Sequence, residues 1–374
     1  MAQTTIAEPL ILKKWERNYF KESVRESGFL PYMGPGNTNP IVVKKQLIEG
    51  GQIITLPLVS ALRGAGKGTG TLVGNEESLV TGGYDIKPYW HRHAVATKKS
   101  VHQNSVIDLA NASKDMLKVW DMDRMRDGII DACSVMVESS SVYDELNGHP
   151  KQVKFSEATT AQKNTWAAAN QTRIVPGATM TNYSATFATM AANLDTTADT
   201  CTADMIRLMK RTARKRDQST GQVAVRPIRT GDQGREFFVA FLHSLAMRDL
   251  KADLETINLD GRPRDPDNNP IFQDGDLEVD GVICREIPEI SSYGTIGDSS
   301  ATVVPIYMLG AGALGMAWGQ MPRVTTRKED DYGFIEGVGT ESLWACEKLL
   351  YTPPGGAAAI DYGMVTGLAA TAAE

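Results

Sequence analysis

Gln52-Ile-Ile-Thr-Leu-Pro-Leu-Val-Ser-Ala-Leu62, then Arg63-Gly-Ala-Gly-Lys-Gly-Thr-Gly-Thr71, then a second extended run from Tyr84 to Val101, form the passage on which the fold turns. The first run is rich in β-branched residues, and its Pro57 removes a ladder donor, so it predicts an edge strand. At about 3.3 Å per residue it reaches roughly 36 Å. The tip is too glycine-rich to hold regular structure, so the passage predicts a long hairpin projecting from the body. A lone two-stranded ribbon is marginal in water. Its apolar residues therefore predict a partner surface outside the hairpin.

Working outward, residues 1 to 45 combine short apolar clusters with the turn-rich Pro31-Tyr-Met-Gly-Pro-Gly-Asn-Thr-Asn-Pro40. That composition predicts an extended arm with one short helix, Ile11 to Ser27. On the other side, Val106 to about Ser140 has no proline and one glycine, Gly128, with Leu109, Met116, Trp120, Met125, Ile129, Cys133 and Met136 mostly at helical spacings. A spine-length helix of about 52 Å, broken near Gly128, is expected there. Residues 144 to 200 mix turn signals with Ala/Thr-rich segments and fix no boundaries, whereas Asp204 to Asp217 predicts a helix. Val223 to Ile228, Phe237 to Leu245, Leu277 to Ile287 and Pro305 to Trp318 are short apolar runs between Gly/Pro/Asp clusters, as in a compact α/β domain. Tyr332 to Tyr351 predicts strands, followed by an Ala/Gly-rich tail.

At 374 residues the chain exceeds one average domain. Apolar residues at 42% and charged residues at 22% predict a soluble globular protein, and no stretch is apolar enough to cross a bilayer. The first residues lack a basic segment before an apolar run, so cytoplasmic synthesis is expected. Cys133, Cys201, Cys284 and Cys346 lie too far apart for a zinc knuckle or a disulfide framework and predict reduced core residues. A net charge of -6 repels nucleic acid overall, so any genome contact would be local.

The motifs that invite chemistry fail on spacing. A phosphate loop needs a glycine five residues before its Gly-Lys pair and Ser/Thr after the lysine, but Gly66-Lys67 has Ala61 upstream and Gly68 downstream. His91 and His93 share a strand face without a third ligand, and Arg92 between them predicts a solvated or intersubunit face. Asp265, Asp267 and Asn269 imitate a calcium loop, but Pro270 replaces its turn glycine. Arg207, Lys210, Arg211 and Arg214 place cations on one helix, which fits a solvated face or an acidic or nucleic-acid partner. No nucleophile elbow or zinc-protease pair is present. No catalytic residue, cofactor or metal is expected.

Arm, glycine-tipped hairpin, spine helix, α/β domain and returning strands follow one another in the order of the Hong Kong 97-type capsid fold. Leu72-Val-Gly-Asn-Glu-Glu-Ser-Leu-Val with Tyr84-Asp-Ile, Phe238-Val-Ala-Phe-Leu-His, and Asn269-Pro-Ile-Phe with Gly281-Val-Ile-Cys resemble the coat-protein family of podophage N-four. Gly310-Ala-Gly-Ala-Leu-Gly-Met-Ala-Trp-Gly, Asp331-Tyr-Gly, Lys348 and Asp361-Tyr-Gly resemble that family's closing segment. The resemblance implies an α+β tailed-phage major capsid protein in five parts: an N-terminal arm at 1–45 and an extended hairpin at 46–103 that clamp neighbours, a peripheral domain with the spine helix at 104–220, an axial domain at 221–322, and return strands with the tail at 323–374. Residues implied at subunit contacts are Trp15, Tyr19, Phe20, Ile53, Leu56, Leu58, Lys67, Tyr84 and Trp90. Implied partners are copies of the chain in hexamers and pentamers, a scaffolding protein, a portal and a decoration protein, around double-stranded DNA and without a membrane. The place implied is the virion, with assembly in the host cytoplasm. No crosslink through Lys67 is expected. A cellular nanocompartment shell shares the fold, and a nucleotide-dependent enzyme using Gly64 to Thr71 is the alternative from another class.

Overall fold

Val303-Val-Pro-Ile-Tyr-Met-Leu309 is apolar throughout, the pattern of a strand buried on both faces, and it lies in the middle of the largest sheet, one of two with more than two strands among the described residues. A computed structural model describes residues 29–59, 62, 66–77, 81–100, 109–138, 152–216, 223–230, 236–260, 277–330, 332, 334–352 and 359–372. The expected arm helix, the first residues of the glycine-rich tip and the calcium-like stretch after 260 lie outside the described residues.

The seven-stranded sheet runs Leu277–Val279, Val282–Glu286, Glu236–Leu242, Thr302–Leu309, Met364–Thr371, Ile174–Pro176, with Arg229–Thr230 paired to the start of Glu236–Leu242. Helices Ala203–Arg214 and Ser244–Asp260 cover it through Met205, Met209, Met247 and Leu250. The first of these begins at a Thr202 cap whose side chain accepts from the Met205 amide. The five-stranded sheet runs Met33–Gly34, Ile41–Lys44, Leu314–Asp330, Ile335–Lys348, Tyr89–Lys98. The spine helix, Leu109–Cys133, lies on its last two strands. The C-terminal half of that helix joins the two sheets. Met125, Ile129 and Cys133 share one core with Phe241, Tyr307 and Leu309 of the larger sheet and with Leu314, Trp318 and Trp344 of the smaller.

Four expectations are corrected. The run from Tyr84 to Val101 is two strands: Thr81–Ile86 closes the hairpin against Ile54–Val59, and Tyr89–Lys98 leaves to pair with Ile335–Lys348. Pro88, which has no amide hydrogen, sits at the break. The spine helix is 25 residues, about 37 Å, and gives way to the strand Val135–Glu138. It also passes through Gly128 without a break. That glycine is needed for contact, since a Cβ there would lie 2.6 Å from the Trp344 ring. The tail contains a strand, Met364–Thr371, that is buried at every position. Its Gly, Ala and Thr residues leave room for the helix above, and a Cβ on Gly367 would lie 2.8 Å from Met209 Sδ. Val223 to Ile228 is not a strand, and the chain pairs only at Arg229–Thr230.

Sheets and sequence segments do not coincide. The larger sheet takes strands from before residue 221 and after residue 322, and Leu314–Asp330 runs across that second point. Gly128→Val forces a branched side chain into the fully buried Trp344 and is expected to cost about 1–3 kcal/mol. Chemical denaturation of the variant against the parent chain reads it.

Candidate assembly surfaces

The hairpin is held at its base, and its described residues become more exposed outward. Ile54 and Ile86 face each other across the ladder and pack with Leu47, Ala317, Ala345 and Leu349 of the body. Tyr84 joins the same core, and its hydroxyl donates to Glu347 Oε2 at 2.9 Å while accepting from Gln152 Nε2 at 2.6 Å. Gln152 is held in turn by both backbone groups of Lys348: Nε2 donates to its carbonyl at 2.8 Å and Oε1 accepts from its amide at 2.9 Å. Burial then fades outward. Ile54 is buried, Leu56 and Leu58 are half-buried, and Val59 is 58% exposed. Ile53, Leu62, Leu72 and Val73 are also exposed, Val73 by 80%. Among the described residues the two outer edges of the ribbon pair with no other strand. Open edges with apolar side chains are the chemistry of strand addition or clamping against another chain.

Of the residues expected at contacts, Ile53, Lys67 and Trp90 are exposed and Leu56 and Leu58 half-exposed, while Trp15, Tyr19 and Phe20 lie outside the described residues. Tyr84 is a correction. It is buried, because its ring completes the core at the hairpin base and both roles of its hydroxyl are used inside the chain. A second projection escaped the sequence reading. Leu314–Asp330 and Ile335–Lys348 form a long hairpin with Tyr332, fully exposed and at φ +53°, and Phe334 at its end.

The remaining candidates settle into structural roles. Asp204 holds Arg207 at 2.7 Å, Asp280 holds Lys210, and Glu236 pairs with Arg214, and among the described residues no carboxylate pairs with the exposed Arg211. His91 corrects the expectation of a solvated face. It is buried, stacked on Trp344 at 4.1 Å, and receives Arg124 Nε on Nδ1 at 3.4 Å, whereas His93 stays exposed beside Trp120. Burial first, and Arg124 second, hold His91 down to about 3, so it stays neutral. Among the described residues no group of three His, Cys, Asp or Glu could hold a metal. The four cysteines are unpaired, and burial pushes the Cys133 thiol up to about 12. In the glycine-rich tip, added Cβ atoms at Gly66, Gly68 and Gly70 would meet nothing within 4 Å. The backbone at these three glycines stands in open space. A groove of about 730 Å³ where hairpin meets body is lined largely by Ile54, Leu56, Leu58, Leu349, Tyr351 and Tyr362.

A two-sheet body with a spine helix, a base-anchored ribbon and apolar projections defines a shell-building subunit. The family model for phage capsid proteins matches residues 3–372, and the chain belongs to that family. It is 26% identical over 349 residues to the major capsid protein of Pseudomonas phage KPP25, covering 88% of this chain and 86% of that one. In structure it is similar to the capsid of cyanophage Pam1, at 32% identity, 94% coverage of both chains and a TM-score of 0.80. The capsid of Ralstonia phage GP4 shares the fold at 16% identity and a TM-score of 0.67, covering 91% of this chain and 90% of that one. The fold is the α+β Hong Kong 97-type capsid fold, and this is a structural family, not an enzyme family. These findings favour the phage shell over a cellular nanocompartment or a nucleotide-dependent enzyme.

Tyr84→Phe removes the donor that Glu347 uses inside a buried site and is expected to destabilise the chain by about 1–3 kcal/mol. Limited proteolysis should then cut within 54–86 earlier than in the parent, locating the loss at the hairpin base.

Proposed function

We propose that this chain is the major capsid protein of a tailed bacteriophage and that copies of it close into an icosahedral shell of hexamers and pentamers around double-stranded DNA. The arm at 1–45 and the hairpin at 46–103 clamp neighbouring subunits. Segments 104–220 and 323–374 form the peripheral lattice, and 221–322 surrounds the capsomer axes. Ile53, Leu56, Leu58, Lys67 and Trp90 meet adjacent copies, with Trp15, Tyr19 and Phe20 doing so from the arm. A separate scaffolding protein sets the size of the shell before a portal admits the genome, and the shell assembles in the host cytoplasm and persists in the virion. A decoration protein is a further partner of the outer surface.

The observation that supports this reading is the hairpin itself, anchored at Tyr84 and Ile86 while Val59, Leu62, Leu72 and Val73 stay exposed. Fully burying one such aliphatic side chain contributes about 1.5–3 kcal/mol. A monomer forgoes that energy at each position, and a neighbour seated on the ribbon recovers it.

Electron microscopy of the full chain, expressed alone and with a scaffolding protein, should show closed shells or capsomers that close with the scaffold. A stable monomer under every condition contradicts the proposal. Val59→Asp, Leu72→Asp and Val73→Asp together should leave the subunit folded, with an unchanged circular dichroism spectrum. They should lower particle yield at least about tenfold, since three side chains lose their apolar partner surface.

A further inference from the structure

The spine helix lies on a polar seam. On strand Ile335–Lys348, Thr340 and Ser342 alternate with Trp344 on one face, and on the neighbouring strand His91 and His93 stand opposite Ser342 and Thr340. The helix answers with Trp120 beside His93, Arg124 on His91 and Gly128 against Trp344. Asp121 falls in the same row, one residue from Trp120 and one turn from Arg124, beside Ser342. It is 1% exposed, and neither carboxylate oxygen has a hydrogen-bond partner. The hydroxyls of Thr340 and Ser342 are buried and equally without partners. Three buried polar side chains thus meet in one seam, where among the described residues no cation is bonded to the carboxylate and neither hydroxyl is turned onto it. An ionised carboxylate left unpaired in such a place is among the costliest groups a protein can bury.

We infer that this seam is a proton-operated latch: the spine helix seats fully on the sheet when Asp121 is protonated and donates to Ser342, and its seating weakens when that proton leaves. The charged groups around it do not substitute for the proton. Arg124 is turned to His91, and His91 is kept neutral. His93 is exposed against Trp120. Glu336, which shares the Ser342 face by alternation, pairs with Lys99, and Glu341 lies on the opposite face with Arg92 and Arg323. Farther along the helix Asp131 is held by Lys154. Burial accordingly raises the Asp121 carboxyl to about 7, and the Ser342 hydroxyl, close by but outside bonding geometry, lowers it only in part.

The sign follows from that direction. A carboxyl raised in the seated state stabilises seating fully below its ordinary value near 4, and the contribution is lost as pH rises through about 7. The latch is therefore closed in acid and relaxed above neutrality. The C-terminal half of the helix packs in the core that the two sheets share, so its seating bears on how firmly the smaller sheet is held to the larger.

Hydrogen exchange of the full chain, corrected for the intrinsic pH dependence of amide exchange, tests this against Asp121→Asn, a neutral isostere that donates at all pH values. Between about pH 5 and pH 8, amides of 113–133 in the parent chain should lose roughly tenfold or more protection relative to the variant. Parallel profiles of the two proteins overturn the latch. Should the variant fail to fold, the parent alone decides. Protection of 113–133 must fall relative to that of the helix Ala203–Arg214 as pH rises through 7, and a constant ratio overturns the latch as well.

Discussion

The fold depends on one buried ion pair. Lys348 and Asp361 are each 1% exposed, and Lys348 Nζ lies 3.2 Å from Asp361 Oδ2 and donates to the Val135 carbonyl at 2.5 Å. Trp166 Nε1 donates to the same carboxylate oxygen at 3.4 Å, Asn170 accepts from the Asp361 amide, and Arg173 Nε donates to the Asp361 carbonyl at 3.0 Å. The amide and carbonyl of Lys348 are those that hold Gln152, which holds Tyr84. One charged pair therefore ties the strand that follows the spine helix, the helix Thr160–Ala169, the return strands and the hairpin base into a single junction. Burying two charges costs several kcal/mol in desolvation, and a well-packed apolar pair of equal volume would often be as stable. What such a pair supplies is direction. Each partner has to sit where the donors and acceptors converge, which an oily contact does not require.

That junction gives the exposed ribbon its meaning. Apolar side chains along Ile53–Val59 and Leu72–Val73 attract any hydrophobic surface, and open strand edges add backbone donors and acceptors. Without a fixed base the ribbon would lose much conformational freedom whenever a neighbour seated on it, and that loss would be deducted from every contact. With Tyr84, Ile54 and Ile86 locked into the body, most of that ordering is complete before a neighbour arrives.

Much of this was legible in the sequence, and the exceptions share causes. The hairpin, the spine helix, the helix near Asp204 and the strands around Phe238 and Val282 stood out because their apolar residues are large and correctly spaced. Met364–Thr371 does not stand out, because Gly367, Ala369 and Ala370 are small residues that leave space for the helix above rather than favour a strand. Gly128 read as a break by propensity, whereas its role is set by Trp344, more than two hundred residues away in the chain. His91 looked solvated because Arg92 beside it is charged, although alternation sends the two to opposite faces. In the sequence Tyr84 reads as a strand start and a subunit contact, and Lys348 as part of a family-like closing segment. Their partners come together from segments at 84, 135, 152, 347 and 361, a convergence that no local pattern encodes.

At a small number of positions polarity departs from what a monomer would choose, although the large apolar cores follow the usual rule. Lys348, Asp361, Arg173, Asp121 and Glu347 are inside, while Val59, Val73, Met116, Trp90, Phe334 and Tyr332 are outside. Each choice carries a cost for a solitary globular protein, since buried charges cost desolvation and exposed apolar side chains invite aggregation. Both choices suit a part whose outer surface is completed by copies of itself. The inner charges hold one arrangement against competing packings, and the outer apolar groups wait for burial at assembly. Stability is then divided between chain and lattice, and the share held by the lattice is available only to a subunit already in the right shape.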